Sequence, residues 1–267
     1  MKKKLVVTLL LVLAFCLFFT GCKSEEEKAA EEAMNVEITR IQGELEQRDN
    51  DVEAAQAVVD DERPALDEEL KPALQTAISE ANALTFEAPK PKGLEEINAA
   101  TEELKKTSFA DQLASLEDAT KALEDSIKKY ELVNEPEEAY VIKCLGTVKD
   151  IDGIAAATED HDPNGNLHKQ GGYTSQVYFS SPLADHTYLD NDIIDAGTDG
   201  GGSVEVYTTA DEAKKRDEYL ASFDGGVLSS GSHKVIGTCI VRTSSTLTAT
   251  QQKELEAAIV EALTKID

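Results

Sequence analysis

Asn134-Glu135-Pro136 divides the chain into two stretches with different grammar, and its reading decides the fold. Before it, residues 22–132 are built from Ala, Glu, Leu and Lys in helical rhythm. After it, residues 133–267 bring glycines, β-branched residues and tyrosines. Helices first and mixed strands and helices afterwards predict an α+β protein. The N-terminal part is an acidic three- to four-helix bundle or stalk. The C-terminal domain is a small, mainly antiparallel sheet flanked by helices.

In the first part, Met34, Ile38, Ile41, Leu45, Val52 and Val59 mark a seam spaced by three and four residues. Arg48 and Ala55 interrupt it. Pro64 ends this helix or opens the next, and Pro72 marks a kink or a new start. Leu66, Leu70, Leu74, Ile78 and Leu84 form a second stripe. Ala88-Pro89-Lys90-Pro91-Lys92-Gly93 is a stiff linker. Leu94, Ile97 and Leu104 follow. The rhythm breaks at Thr107-Ser108, an N-cap signal, and resumes from Phe109 to Tyr130. One apolar stripe per helix requires partner helices.

In the second part a helix is predicted over 137–148, with strands near 154–158, 173–179 and 203–207. Thr209-Ala210-Asp211-Glu212 is a capping box opening a helix that Asp224-Gly225-Gly226 stops. Lys234 to Thr243 is the most apolar strand. Thr248-Ala249-Thr250-Gln251 opens a last helix carrying Leu255, Ile259 and Leu263.

The chain carries 26 basic and 52 acidic residues among 267, a net charge of −26. That excess excludes nucleic acid as a partner, because phosphate backbones require a basic face. Residues 22–132 carry a net charge of −16 and residues 133–267 a net charge of −13, so neither half hides a basic surface. Aromatics are 5% and Trp is absent, which argues against a base-stacking platform.

Residues 1–21 read as a signal peptide. Lys2, Lys3 and Lys4 precede an apolar run from Leu5 to Phe19, too short to span a bilayer comfortably. The run ends in Phe19-Thr20-Gly21-Cys22, which resembles the lipobox of bacterial lipoproteins of the Gram-positive type, with Phe19 where that family prefers Leu. The resemblance implies that Cys22 is the first mature residue and carries the lipid, so that the membrane is a partner through Cys22. The chain would then sit on the outer face of the cell membrane.

Two further resemblances follow. The pattern L-x-x-A-I-x-x-A-x-x-L over Leu74 to Leu84, with the helix from Phe109 to Ile127, resembles FIVAR and Ebh-type helical modules of Gram-positive surface proteins. Those three-helix modules are strung as stalks or used in adhesion. Thr158 to Gly165, Gly171 to Thr174, Gly197 to Gly202 and Gly231 to His233 resemble a C-terminal domain of Gram-positive lipoproteins and cell-surface proteins with no established activity. Both imply location and architecture, not chemistry.

With Cys16 in the signal and Cys22 lipidated, Cys144 and Cys239 remain in a compartment where disulfides persist. Two readings stand: a disulfide between a helix and a strand, or two small buried hydrophobes. Asp160, Asp162, Asn164 and Asn166 spell D-x-D-x-N-G-x, the first half of a calcium loop. Gly171 stands where the loop's glutamate belongs, so a bidentate ligand would come from Glu159 or Asp199. The same residues also build an ordinary Asx turn. Thr198-Asp199-Gly200-Gly201-Gly202 precedes a strand instead of following one, the wrong order for a phosphate loop. His161, His168, His186 and His233 lack zinc spacing, and no G-x-S-x-G elbow is present. These observations favour a non-catalytic binding or structural module that meets a peptide, a wall component or an envelope protein. The alternative is a cell-envelope hydrolase with an acidic site drawn from Asp160, Asp162 and Asp199.

Overall fold

In a computed structural model of the chain, the structure describes residues 23–187, 192–225 and 231–266. It is an α+β fold with a helical N-terminal part and a C-terminal five-stranded antiparallel sheet. No helix among the described residues is long and apolar enough to cross a membrane.

Helix α1 (Glu25–Val59) runs for 35 residues, about 52 Å at the helical rise. Ser24 caps it by accepting the Glu27 amide at 3.1 Å, and Glu25, Glu26 and Glu27 complement the helix dipole. α2 (Leu70–Asn82) holds Pro72 in its first turn, where the missing N–H is not needed. α3 (Leu94–Lys106) and α4 (Ala110–Leu132) complete the half.

These four helices do not share one core. α3 packs on the first half of α1 through Met34, Ile41, Ile97 and Leu104. α2 and α4 pack on the second half through Ala55, Val59, Leu74, Ile78, Leu116 and Leu123. The seam interruptions have uses: Ala55 is fully buried, and Arg48 donates to the Leu84 carbonyl at 2.5 Å beyond the end of α2.

At the step between the two stages, Arg40 donates to the carbonyls of Leu104 (2.9 Å) and Thr107 (2.7 Å), closing the C-terminus of α3. Glu44, paired with Arg40 at 2.6 Å, accepts the Phe109 amide at 2.6 Å at the head of α4. The cap expected from Thr107-Ser108 is shared in this way. Ser108 accepts the Ala110 amide at 3.2 Å, and the charged cap comes from α1.

The C-terminal part runs α5 (Glu138–Leu145), β1 (Gly153–Ala156), β2 (Ser175–Ser180), α6 (Ile193–Ala196), β3 (Gly201–Val206), α7 (Ala210–Ala221), β4 (His233–Ile236), β5 (Cys239–Thr243) and α8 (Ala249–Leu263). The strand order is β1-β2-β3-β5-β4, every pair antiparallel. Val177, Phe179, Val204, Val206, Cys239 and Val241 face α5 and α8 and meet Val141, Leu145, Leu255, Ile259 and Leu263 there. Thr209 caps α7, and Thr248 with Gln251 forms a full capping box on α8.

One expected strand is two. Lys234 to Thr243 folds back at Gly237-Thr238, pairing Ile236 with Cys239. Gly237 has φ +58, the left-handed backbone that a two-residue hairpin requires at its first turn position. A Cβ there would stand 2.5 Å from the Val133 carbonyl oxygen. That closeness is functional in the fold, because the dividing segment is pinned to this turn. Thr238 donates its amide to Val133 at 2.9 Å and accepts the Glu135 amide on its hydroxyl at 2.7 Å.

Candidate functional site

The loop of residues 158–174 joins β1 to β2 and contains the half calcium motif. Asp162 organises it. Its carboxylate accepts the amides of Asn164 (3.1 Å) and Leu167 (2.9 Å) and the hydroxyl of Tyr173. Burial opposes ionisation of Asp162, but these donors outweigh it and hold the carboxyl below its ordinary range. Burial and the adjacent carboxylate push the Tyr173 phenol up.

Asn164 donates to Gln176 at 3.2 Å and to the Tyr178 hydroxyl at 3.1 Å. Asp162 thus ties the loop to itself and Asn164 holds it down on the sheet; Asp160 and Asn166 stand exposed at the surface. Glu159 lies beside them. Asp199 does not: it sits in the 3-10 turn Gly197–Gly200 leading into β3, where Ser244 donates to its carbonyl at 2.8 Å. The register pairs Ser180 with Gly201 and Ser175 with Val206, so Asp199 and the loop lie at opposite ends of β2. Gly201 and Gly202 serve packing, since a Cβ on Gly202 would lie 2.1 Å from the Arg242 carbonyl oxygen.

Beneath the loop, the face of the sheet opposite α5 and α8 carries a polar network that sequence reasoning missed. Glu205 is fully buried at its centre. It accepts from Arg216 at 3.0 and 3.1 Å, from Arg242 at 2.9 Å and from the Tyr207 hydroxyl at 2.7 Å. Burial disfavours its charge, yet the two guanidinium groups and the phenol keep Glu205 ionised below the ordinary glutamate range. The available signal was a single acid and a single base inside the two fully buried strands. Their pairing became readable only once the register set Ser203 opposite Arg242.

Two of the histidines tie separate elements together. His233 bridges Asp217 (2.6 Å) and Asp224 (3.3 Å), tying β4 to α7. His161 bonds Asp195 at 2.7 Å, which raises its pKa above the ordinary histidine value. Asp192 stands close by and caps α6. His161, Asp192 and Asp195 bring one ligand atom each within 4.8 Å of one another.

Cys144 and Cys239 both lie in the apolar core between sheet and helices, where they are free thiols. Burial pushes the Cys239 thiol up to about 12. Cys22 and the signal segment 1–21 lie outside the described residues.

Two open clefts flank the loop, each of about 530 Å³. The first lies against α7, between Asn166 and Gly172 on one side and Lys215, Arg216 and Tyr219 on the other. The Arg216 guanidinium lies 5.4 Å from the centre of the Tyr219 ring, which is 56% exposed. The second lies at the head of α5 and is lined by Glu135, Glu137, Glu138, Glu159, His168 and Ser175. Both volumes fall in the range of small-ligand sites.

No protein family, curated protein or solved structure matches the chain.

The arrangement supplies recognition chemistry of two signs on the two sides of one rigid loop. The α7 cleft offers Lys215 and the Glu205-paired Arg216 beside an exposed aromatic ring, with Glu212 on the same lining. The α5 cleft offers carboxylates.

Proposed function

We propose that this chain is a lipid-anchored module of the outer cell surface, a helical stalk carrying a non-catalytic binding domain. Its partners are a peptide, a wall component or another envelope protein. The observation that carries the reading is the direction of α1. The helix begins three residues after Cys22. Its far end meets the end of α4, where Arg63 pairs with Glu131 at 2.7 Å and the Leu66 amide donates to Ser126 at 3.1 Å. The C-terminal domain starts immediately beyond α4. A lipid on Cys22 would therefore be about 50 Å from the binding domain along the axis of α1.

The remaining support is the loop of residues 158–174. Its own hydrogen bonds and those of Asn164 to Gln176 and Tyr178 hold it in place, and it lies between two ligand-sized clefts. Loop sites on a rigid scaffold are a common way to build recognition. The acid excess keeps such a domain solvated and repels its neighbours on the same surface.

Anchoring is tested by membrane fractionation of a Cys22→Ala variant. Acyl chains bind through buried CH₂ groups worth about 0.8 kcal/mol each, so the variant is expected in the soluble fraction. Unchanged partitioning would overturn the anchored reading.

A further inference from the structure

We propose that the cleft at the head of α5 is a receptor site for a primary ammonium group, of the kind carried by a lysine side chain of a peptide. The proposal rests on the binding-module reading and names the ligand class for one of its two clefts.

The first observation is charge without partners. Glu135, Glu137, Glu138 and Glu159 all line the cleft. None of the four makes an ion pair among the described residues, and no Lys or Arg lines the cleft with them. They come from two separate segments, the dividing segment and the loop after β1, which the fold brings together across Ser175 and Thr174. All four stand exposed at the rim, whereas the buried Glu205 and half-buried Glu44 are matched by arginines.

The second observation is independent and lies on the floor. Ser175 is 6% exposed, and its hydroxyl oxygen is buried with no hydrogen-bond partner. A buried unpaired hydroxyl is costly, and each one in a native structure calls for an explanation. A donor entering from the cleft supplies one.

An ammonium group fits both observations. It has three N–H donors and no acceptor. One donor would bond the Ser175 oxygen, and the others would make charge-assisted bonds to the rim carboxylates. A bare metal ion fits less well. The one place among the described residues where three ligand atoms converge within 4.8 Å is the His161 cluster, so these glutamates are too spread to form a shell. A spread ring suits an organic cation with a stem.

The rim is also held in an unusual shape. Glu135 (φ 53) and His168 (φ 57) are the two non-glycine residues with left-handed backbone among the described residues, and both line this cleft. Such conformations persist where the surroundings over-determine them. Here Thr238 holds the Glu135 amide, and the Tyr173 carbonyl accepts the His168 amide at 2.9 Å.

The test is calorimetric titration of the full-length chain in detergent with Nα-acetyl-lysine amide. Nα-acetyl-norleucine amide, which keeps the stem and lacks the charge, is the control. The lysine compound is expected to bind, more weakly as salt rises, and the norleucine compound to give no heat. Ser175→Ala is expected to weaken binding roughly five- to tenfold while leaving the melting temperature level or higher, because it removes an unpaired buried hydroxyl. The triple variant Glu137→Gln, Glu138→Gln, Glu159→Gln is expected to lose at least about tenfold. Equal heats from the two compounds overturn the proposal. So does unchanged lysine-amide affinity in either variant. None of these results depends on where the Cys22→Ala chain partitions, so failure here and failure of anchoring are separate outcomes.

Discussion

The two faces of the five-stranded sheet solve the same burial problem by opposite means. Toward α5 and α8, Val177, Phe179, Val204, Val206 and Val241 are fully buried in an apolar core that requires only volume and shape. Toward α7 and the loop, the same strands bury Ile240 in a smaller apolar cluster with Ala213 and Leu220, and beside it present Gln176, Tyr178, Ser203, Glu205 and Arg242, buried just as deeply but held by directional bonds. Apolar packing is forgiving of small changes, whereas a buried charge network is not. The difference teaches that the apolar face holds the domain together and the polar face sets where the loop between the clefts sits.

The largest effect should come from Glu205→Gln, which keeps the shape and removes the charge. It leaves Arg216 and Arg242 facing each other without their common acid. A loss of about 3–5 kcal/mol is expected in denaturant unfolding. The pH dependence has a definite sign. The Glu205 pKa is lower in the folded chain than in the unfolded one, so its contribution is complete above the ordinary glutamate value near 4.5 and is lost as pH falls below it. The variant should therefore lose this part of the acid lability. Equal acid profiles for both proteins would show that the network does not carry the charge assigned to it.

Tyr173→Phe is intermediate. It removes one donor from the part-buried Asp162 and is expected to cost about 1–3 kcal/mol. It should also speed hydrogen exchange at the Leu167 and His168 amides, which the loop protects. Unchanged exchange there would show that the Tyr173–Asp162 bond does not hold the loop in shape.

The smallest effect belongs to the apolar face. Ile259→Val in α8 trims one methylene from a fully buried side chain and should cost about 0.5–1.5 kcal/mol with no change in loop exchange. A loss as large as that of Glu205→Gln would erase the distinction between the faces.

Much of the fold was legible locally. Thr209 and Thr248 cap their helices as their spacing indicates, because a cap needs only a side chain and an amide a few residues apart. The seam from Met34 to Val59 faces its partners as its period predicts. The hairpin hidden in Lys234 to Thr243 escaped notice because Gly237-Thr238 interrupts an apolar run by only two residues. Of the candidate calcium ligands, the position of Asp162 in an Asx turn was one of the two readings its neighbours allow. The Tyr173 hydroxyl that closes the turn comes from eleven residues away.

By itself, the order of residues determined the helical character before Asn134-Glu135-Pro136, the mixed character after it, and the acid excess. These follow from propensity, periodicity and composition, which act over a few residues or are sums over many. Only the tertiary structure decided that the four N-terminal helices form two successive cores along α1. It alone decided that Glu44 caps a helix 65 residues on, and that Glu205 meets Arg216 and Arg242. The gathering of Glu135, Glu137, Glu138 and Glu159 on one cleft with Ser175 was decided there too. Such contacts depend on strand register and chain reversal, and a one-residue slip of β3 or β5 would turn Glu205 or Arg242 to the other face.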